Sequence, residues 1–243
     1  MNKKLKHALL IATTALATGS AAAAPVLIKE TGLANGMGTG GLQIPIASNA
    51  QNYWAGLQTL LIDNTRGVLA FCVDPWEWST NKNQTYFTNS LDGIFGNAKA
   101  GFIRELYSES YASTLLTSSA GNLNAAGFQL ALWEIIADDN PNMDGLQSSL
   151  GSGLVHSVSS TRSDILQSAQ TMLDHIDGVF GPDSYSFELF TSGSSMGQAG
   201  RVGYQDFLVA NRVPEPGMLG LMAGALGGLL LTRWRRQQTL SAS

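Results

Sequence analysis

The sequence predicts a mixed α+β domain, with strands at both ends and helices in the middle, set between two short terminal segments. Three observations predict it. A strand, turn and returning strand can be read from Tyr53 to Val73, with Asp63-Asn64-Thr65-Arg66-Gly67 as the turn. Apolar residues then recur at spacings of three and four, at Phe102, Ile103, Leu106, Tyr107 and Tyr111, and again through Ala125 to Ala137. Alternating segments return late in the chain, at Tyr185 to Phe190 and Val202 to Val209.

Each element has a local reason. Residues 31–41 are rich in glycine and read as a loop. They lack a Lys-Ser/Thr ending, so they do not form a phosphate cradle. Leu42 to Ile46 reads as a short strand. Tyr53 to Ile62 and Val68 to Val73 form the hairpin, which delivers Cys72 near a strand end. Asp74-Pro75 stops that strand, because proline cannot donate to a ladder. Trp76 and Trp78 follow in a loop, and Thr85 to Thr88 is a further short strand. Ala98 to Ser113 is a helix. Asn124 is placed to cap the next helix, Ala125 to Ala137, which Asp138-Asp139-Asn140-Pro141 ends. Leu146 to Ser163 reads as a long surface loop, Ser163 to Ile176 as a third helix, and 191–200 as a Gly/Ser loop.

The two ends carry their own signals. Residues 1–24 read as a secretory signal peptide: Lys3, Lys4 and Lys6, an apolar run from Ala8 to Ala17, and small residues Ala21-Ala22-Ala23 before Pro25. At the other end, Val213-Pro214-Glu215-Pro216 precedes an uncharged run, Gly217 to Thr232, and then Arg233-Trp234-Arg235-Arg236. Those 16 residues span about 24 Å as a helix. That is short for a hydrocarbon core of ~30 Å, although Trp234 and the arginines can snorkel. The arginines and the tail 237–243 are expected to stay cytoplasmic, which places residues 25–212 across the membrane. The order of these parts resembles a PEP-CTERM sorting signal, with Pro214, Glu215 and Pro216 as the tripeptide and Arg233, Arg235 and Arg236 as the basic cluster. That resemblance covers 213–236. It implies a transmembrane sorting helix, processing by an exosortase, a Gram-negative envelope, and often an exopolysaccharide or biofilm setting. The expected localisation is the inner membrane before processing, then the cell surface or extracellular matrix.

Residues 25–212 are enough for one domain with a core. The formal charge of −4 conceals an asymmetry. Set aside the three lysines of the leader, and the three arginines and Glu215 of the tail. Eight basic residues then face seventeen acidic ones, a net of about −9. A nucleic-acid partner is therefore not expected, since phosphate binding draws on clustered Lys and Arg.

Chemistry concentrates in two stretches. Phe71-Cys72-Val73-Asp74-Pro75 holds the only cysteine, and Phe128-Gln129-Leu130-Ala131-Leu132-Trp133-Glu134 lies on the second helix. An unpaired cysteine in an exported chain reads as an intermolecular bridge, a reactive thiol, or a buried residue packing as a small hydrophobe. On its helix Gln129 shares a face with Ala125, Leu132, Trp133 and Ile136. An amide there is costly to bury unless it is hydrogen-bonded or consumed chemically.

The two stretches together resemble the paired motifs of bacterial thioester domains, in which a cysteine in an aromatic-Cys-x-Asp/Glu-like setting condenses with a glutamine in a Thr-Gln-x-Ala-x-x-Trp-like helix. Cys72, Asp74, Gln129, Ala131 and Trp133 carry the match, and Phe128 departs from it where Thr is usual. The resemblance spans residues 42–210. It implies a β-sandwich or barrel with a helical insertion, a Cys72–Gln129 crosslink, and a lining of Phe71, Phe128, Leu132 and Trp133 that excludes water. A lysine-like amine on a surface or matrix partner would then open the bond and stay attached to Gln129. This happens once per molecule, so the expected role is a covalent adhesin or crosslinker, not an enzyme, with no cofactor and no metal.

Other readings have less support. A cysteine hydrolase needs a histidine, and His156 and His175 sit in no motif. Asn140-x-Asn142-x-Asp144-Gly145 partly matches a calcium loop, but Gly151 cannot supply its last carboxylate. Asp138-Asp139 and Glu105/Glu109 read as charge at helix ends and on helix surfaces. Trp76 and Trp78 could form a sugar platform. The alternative function is accordingly a non-covalent exopolysaccharide or matrix-binding module with a structural cysteine.

Overall fold

The computed structural model describes residues 24–137, 150–179, 181, 184–193 and 203–213. The signal peptide, the sorting signal with its expected helix, the partial calcium loop and Asp138-Asp139 fall outside these residues. Among the described residues, no helix is long and apolar enough to cross a membrane.

The described residues form, in order, β1 (Val26–Gly38), β2 (Leu42–Gln43), β3 (Trp54–Ile62), β4 (Arg66–Cys72), β5 (Gln84–Asn89), α1 (Leu91–Thr114), α2 (Ser119–Ala137), β6 (His156–Ser157), α3 (Ser163–Asp174), β7 (Tyr185–Thr191) and β8 (Phe207–Arg212). Six strands close an antiparallel barrel in the order β1-β3-β4-β8-β7-β5, and β2 pairs with β6 apart from it. The β3–β4 hairpin turns on Asp63 and Asn64, both at positive φ, where Asp and Asn are tolerated.

Alternation along the strands separates two cores. Ile28, Leu60, Ile62, Ala70, Tyr86, Phe190, Phe207 and Val209 fill the barrel. Ala55, Leu57, Phe71, Leu189 and Leu208 point the other way and pack under the helices. The helical layer is centred on α2, which is buried at every position from Ala125 to Ala137. A helix apolar all round sits inside the molecule, here between α1, α3 and the β1–β3 face of the barrel.

The structure revises several expectations. The glycine-rich stretch 31–41 is mostly strand, not loop. Gly36 and Gly56 pair across β1 and β3, each at φ 148°. A Cβ on Gly56 would lie 2.2 Å from the Asn35 carbonyl oxygen, so these glycines let two strands approach closely. Helix α1 starts at Leu91, where Ser90 Oγ accepts the Gly93 N–H at 3.1 Å, and Gly96 breaks its first turns. Helix α2 starts at Ser119, so Asn124 lies within the helix and does not cap it. The expected strand at Val202 to Val209 is observed at Phe207–Arg212. The expected surface loop at Leu146 to Ser163 contains β6 and buries Leu150 and Val155.

Candidate functional site

Cys72 ends β4, and the two neighbouring strands run out at different points. On one side, β8 continues the ladder through Phe71↔Leu208 and Cys72↔Phe207, and Val73 N–H reaches the Asp206 carbonyl at 2.9 Å. On the other side, pairing with β3 ends at Gln58↔Ala70. The N–H and C=O of Cys72 face that vacated side. The side chain of Gln129 fills the place. Its Oε1 accepts the Cys72 N–H at 3.2 Å, and its Nε2 donates to the Cys72 carbonyl at 2.7 Å. One amide thus satisfies both backbone groups of one residue, as a strand would.

Both residues are sealed from solvent, Cys72 at 0% and Gln129 at 1% exposure. Burial on α2 would make the Gln129 amide costly, and the Cys72 backbone offsets that cost by satisfying it. Phe71, Phe128, Leu132 and Trp133, the expected lining, are all buried. Phe71 and Phe128 pack with ring centroids 4.4 Å apart and extend into Tyr107 and Tyr111 of α1.

Cys72 is buried with the core that packs under the helices, among Phe71, Phe128 and Trp133. Its thiol donates to the Asp74 carbonyl and accepts the Asp74 N–H, both at 3.4 Å. Burial pushes its pKa well up. The Asp74 backbone pulls it back, the charges of Asp74 and Asp206 raise it, and the nearby Trp133 indole lowers it slightly. The Trp133 N–H itself completes no hydrogen bond of normal geometry.

Around the sulfur sits an acidic group that sequence reading did not find. Asp74, Glu77 and Asp206 are all buried. Burial raises the Asp74 carboxyl to about 6, against the Trp76 N–H that lowers it, and Glu77 adds to the rise. Burial raises Asp206 to about 8, with Asp74 and Glu77 adding to it and the Ser192 N–H opposing it. Tyr86, from β5, is raised by burial and then by Asp206 and Cys72. In the sequence Asp74 carried part of the motif match and stopped the strand, without standing out as a member of an acidic group, and Asp206 fell inside an expected strand. The one available signal was a carboxylate directly before the apolar run Phe207-Leu208-Val209.

The remaining candidates are placed elsewhere. His156 Nδ1 lies 2.9 Å from the Gly153 carbonyl oxygen. His175 caps α3 and lines a cavity of about 740 Å³ with Asp92, Arg104, Glu105, Glu109 and Asp177. That cavity shares no lining residue with the Cys72 site. Trp76 packs partly buried against the core, whereas Trp78 is 54% exposed with its ring 6.2 Å from Tyr53. Among the described residues, no three His, Cys, Asp or Glu side chains are placed to hold a metal ion.

No protein-family model matches the chain, and no curated protein does. Among solved structures it is similar to the N-terminal thioester domain of fibronectin-binding protein SfbI from Streptococcus pyogenes, with a TM-score of 0.39 and 12% sequence identity, over 72% of this chain and 95% of that one. At that level the likeness assigns no residue a role. The chemistry open to Cys72 and Gln129 rests on their own geometry.

Proposed function

We propose that this chain is an exported surface protein whose Cys72 and Gln129 condense to an internal thioester, which then captures an amine on a surface or matrix partner. The observation that carries this reading is the clasp of the Gln129 amide by the Cys72 backbone in a site sealed from bulk solvent. Holding nucleophile and amide on one residue supplies effective concentration for a reaction that is poor in water. Attack of Sγ on Cδ puts negative charge on Oε1, which the Cys72 N–H already faces as a donor. The departing nitrogen is held by the Cys72 carbonyl. The burial that excludes water also protects the product from hydrolysis.

In this reading a lysine-like amine opens the thioester, forms an amide with Gln129, and frees the Cys72 thiol. Each molecule reacts once, so the protein is a covalent adhesin or crosslinker and not a turnover enzyme. Export through the leader, and exosortase processing at Pro214-Glu215-Pro216, would deliver it to a Gram-negative surface or matrix.

The test is the intact mass of the purified protein beside Cys72→Ala and Gln129→Ala. The wild type should be lighter than its sequence by one ammonia, both variants should have full mass, and methylamine should add to the wild type and release a thiol. A wild type at full mass with glutamine unchanged at 129 would leave the non-covalent matrix-binding module as the better account.

A further inference from the structure

Thioester formation requires a proton to move. The S–C bond forms and the C–N bond breaks, and the thiol proton must end on the nitrogen that leaves as ammonia. Capture runs the other way: the amine N–C bond forms, the C–S bond breaks, and one amine proton ends on the sulfur. The Cys72 and Gln129 side chains supply no group that both accepts and returns this proton at the sulfur. Two buried carboxyls act on the Cys72 thiol, Asp74 and Asp206.

Each of these carboxyls is fixed at one oxygen and open at the other. Asp74 Oδ1 accepts the Trp76 N–H at 2.9 Å, and Asp206 Oδ1 accepts the Ser192 N–H at 2.6 Å. Both Oδ2 atoms are buried without any hydrogen-bond partner. Asp74 is held to the sulfur through its own N–H and C=O, and Asp206 lies across the ladder, accepting Val73 N–H at its carbonyl. A buried oxygen with no partner costs stability unless a proton or another group occupies it. Two such oxygens, on carboxyls whose charges both act on one thiol, are unexplained by packing.

Building on the thioester reading, we propose that Asp74 and Asp206 are the proton carriers of the reaction, one accepting the Cys72 proton while the other delivers one to the departing nitrogen. The arrangement follows the logic of two neighbouring buried carboxyls that hold one proton between them. The groups facing them are Cys72 from β4, Glu77 from the same loop as Asp74, Tyr86 from β5 and Ser192 after β7. Glu30 of β1 reaches the set through Tyr86. Carboxyls titrating near 6 and 8 bracket neutral pH, where one is base and the other acid.

The experiment follows the one-ammonia mass loss over time from pH 5 to 9, on refolded wild-type protein and on Asp206→Asn and Asp74→Asn. The wild-type rate should be bell-shaped with limbs near 6 and 8. Asp206→Asn should lose the alkaline limb and slow bond formation by about 10²-fold or more. Its melting temperature, read alongside, separates this from loss of fold. A wild type that forms the bond at one rate across this range overturns the proposal without any variant. So does an Asp206→Asn protein that keeps the wild-type rate and profile. Each of these leaves the thioester itself intact. A wild type that never loses ammonia sinks the thioester reading and this one together.

Discussion

Phe71 and Phe128 pack with ring centroids 4.4 Å apart, and each stands one residue before a member of the hydrogen-bonded pair Cys72 and Gln129. The contact locks β4 to α2 in register, so the amide arrives at the right backbone groups. It also accounts for an aromatic residue at 128, where a threonine would fill less of the space among Phe71, Tyr107 and Tyr111. Phe128→Ala should cost about 3–5 kcal/mol in denaturant unfolding. It should also reduce methylamine capture more than a Phe128→Leu protein does. Equal capture by both would mean that the stack serves stability alone.

Gln129→Glu places an oxygen where Nε2 now donates to the Cys72 carbonyl at 2.7 Å. A charged carboxylate there would face a carbonyl in a dry site, whereas a protonated one could still donate. The variant's pKa is thus raised in the fold, and its stability is present at low pH and lost as pH rises. Made on Cys72→Ala, where no crosslink forms, it should lose about 1–3 kcal/mol at pH 7 relative to Cys72→Ala alone, largely recovered at pH 5. A loss that is the same at both pH values would show that the donor is not needed.

Asp74 and Asp206 set the pH dependence of the wild type. Their folded pKa values are raised to about 6 and about 8, so the protonated forms favour folding. That stability is complete below the ordinary carboxylate value, near 4, and is lost as pH rises through 6 and 8. The ion-paired carboxylates Asp92, Asp164 and Glu188 have lowered pKa values and act below this window. The melting temperature should fall from pH 5 to pH 9. Asp206→Asn should flatten the upper part of that fall and raise stability at pH 9 by about 2 kcal/mol, or about 5 °C. A variant that melts below wild type at pH 9 would contradict the assignment.

Gly56→Ala tests the strand crossing. Its Cβ would meet the Asn35 carbonyl oxygen at 2.2 Å and the Gly36 Cα at 2.6 Å, both backbone atoms that cannot rotate away. The loss should reach about 2 kcal/mol or more, against about 0.5 kcal/mol or less for Gly67→Ala, which has open space. Parallel thermal melts of the two variants give the comparison.

The hairpin, α1 and α3 were legible because their periods are strong and their turn, Asp63-Asn64, is explicit. The cysteine and the glutamine were legible as a pair through the resemblance of their two stretches to paired thioester-domain motifs, since either residue alone reads as ordinary packing. The glycine-rich stretch was not, since glycine marks a turn and a close strand crossing alike, and only the partner strand distinguishes them. The start of α2 was missed because Gly121, Asn122 and Asn124 look like helix breakers. They are tolerated because β1 lies against them, with Asn122 Oδ1 accepting the Gly36 N–H at 3.3 Å. Asp206 was invisible as a functional residue because its partners come from β4, β5 and the loop after β7, all distant in the chain.

Gln129 stands 57 residues from Cys72. A bond between them would tie the barrel to its helical layer and close a long loop. By the chain-entropy argument used for disulfides, closing a loop of that length contributes about 4 kcal/mol by restricting the unfolded chain. Capture of an amine cuts this tie. The protein would therefore become less stable at the moment it acquires its partner, and a drop in melting temperature would report attachment without any label on the target.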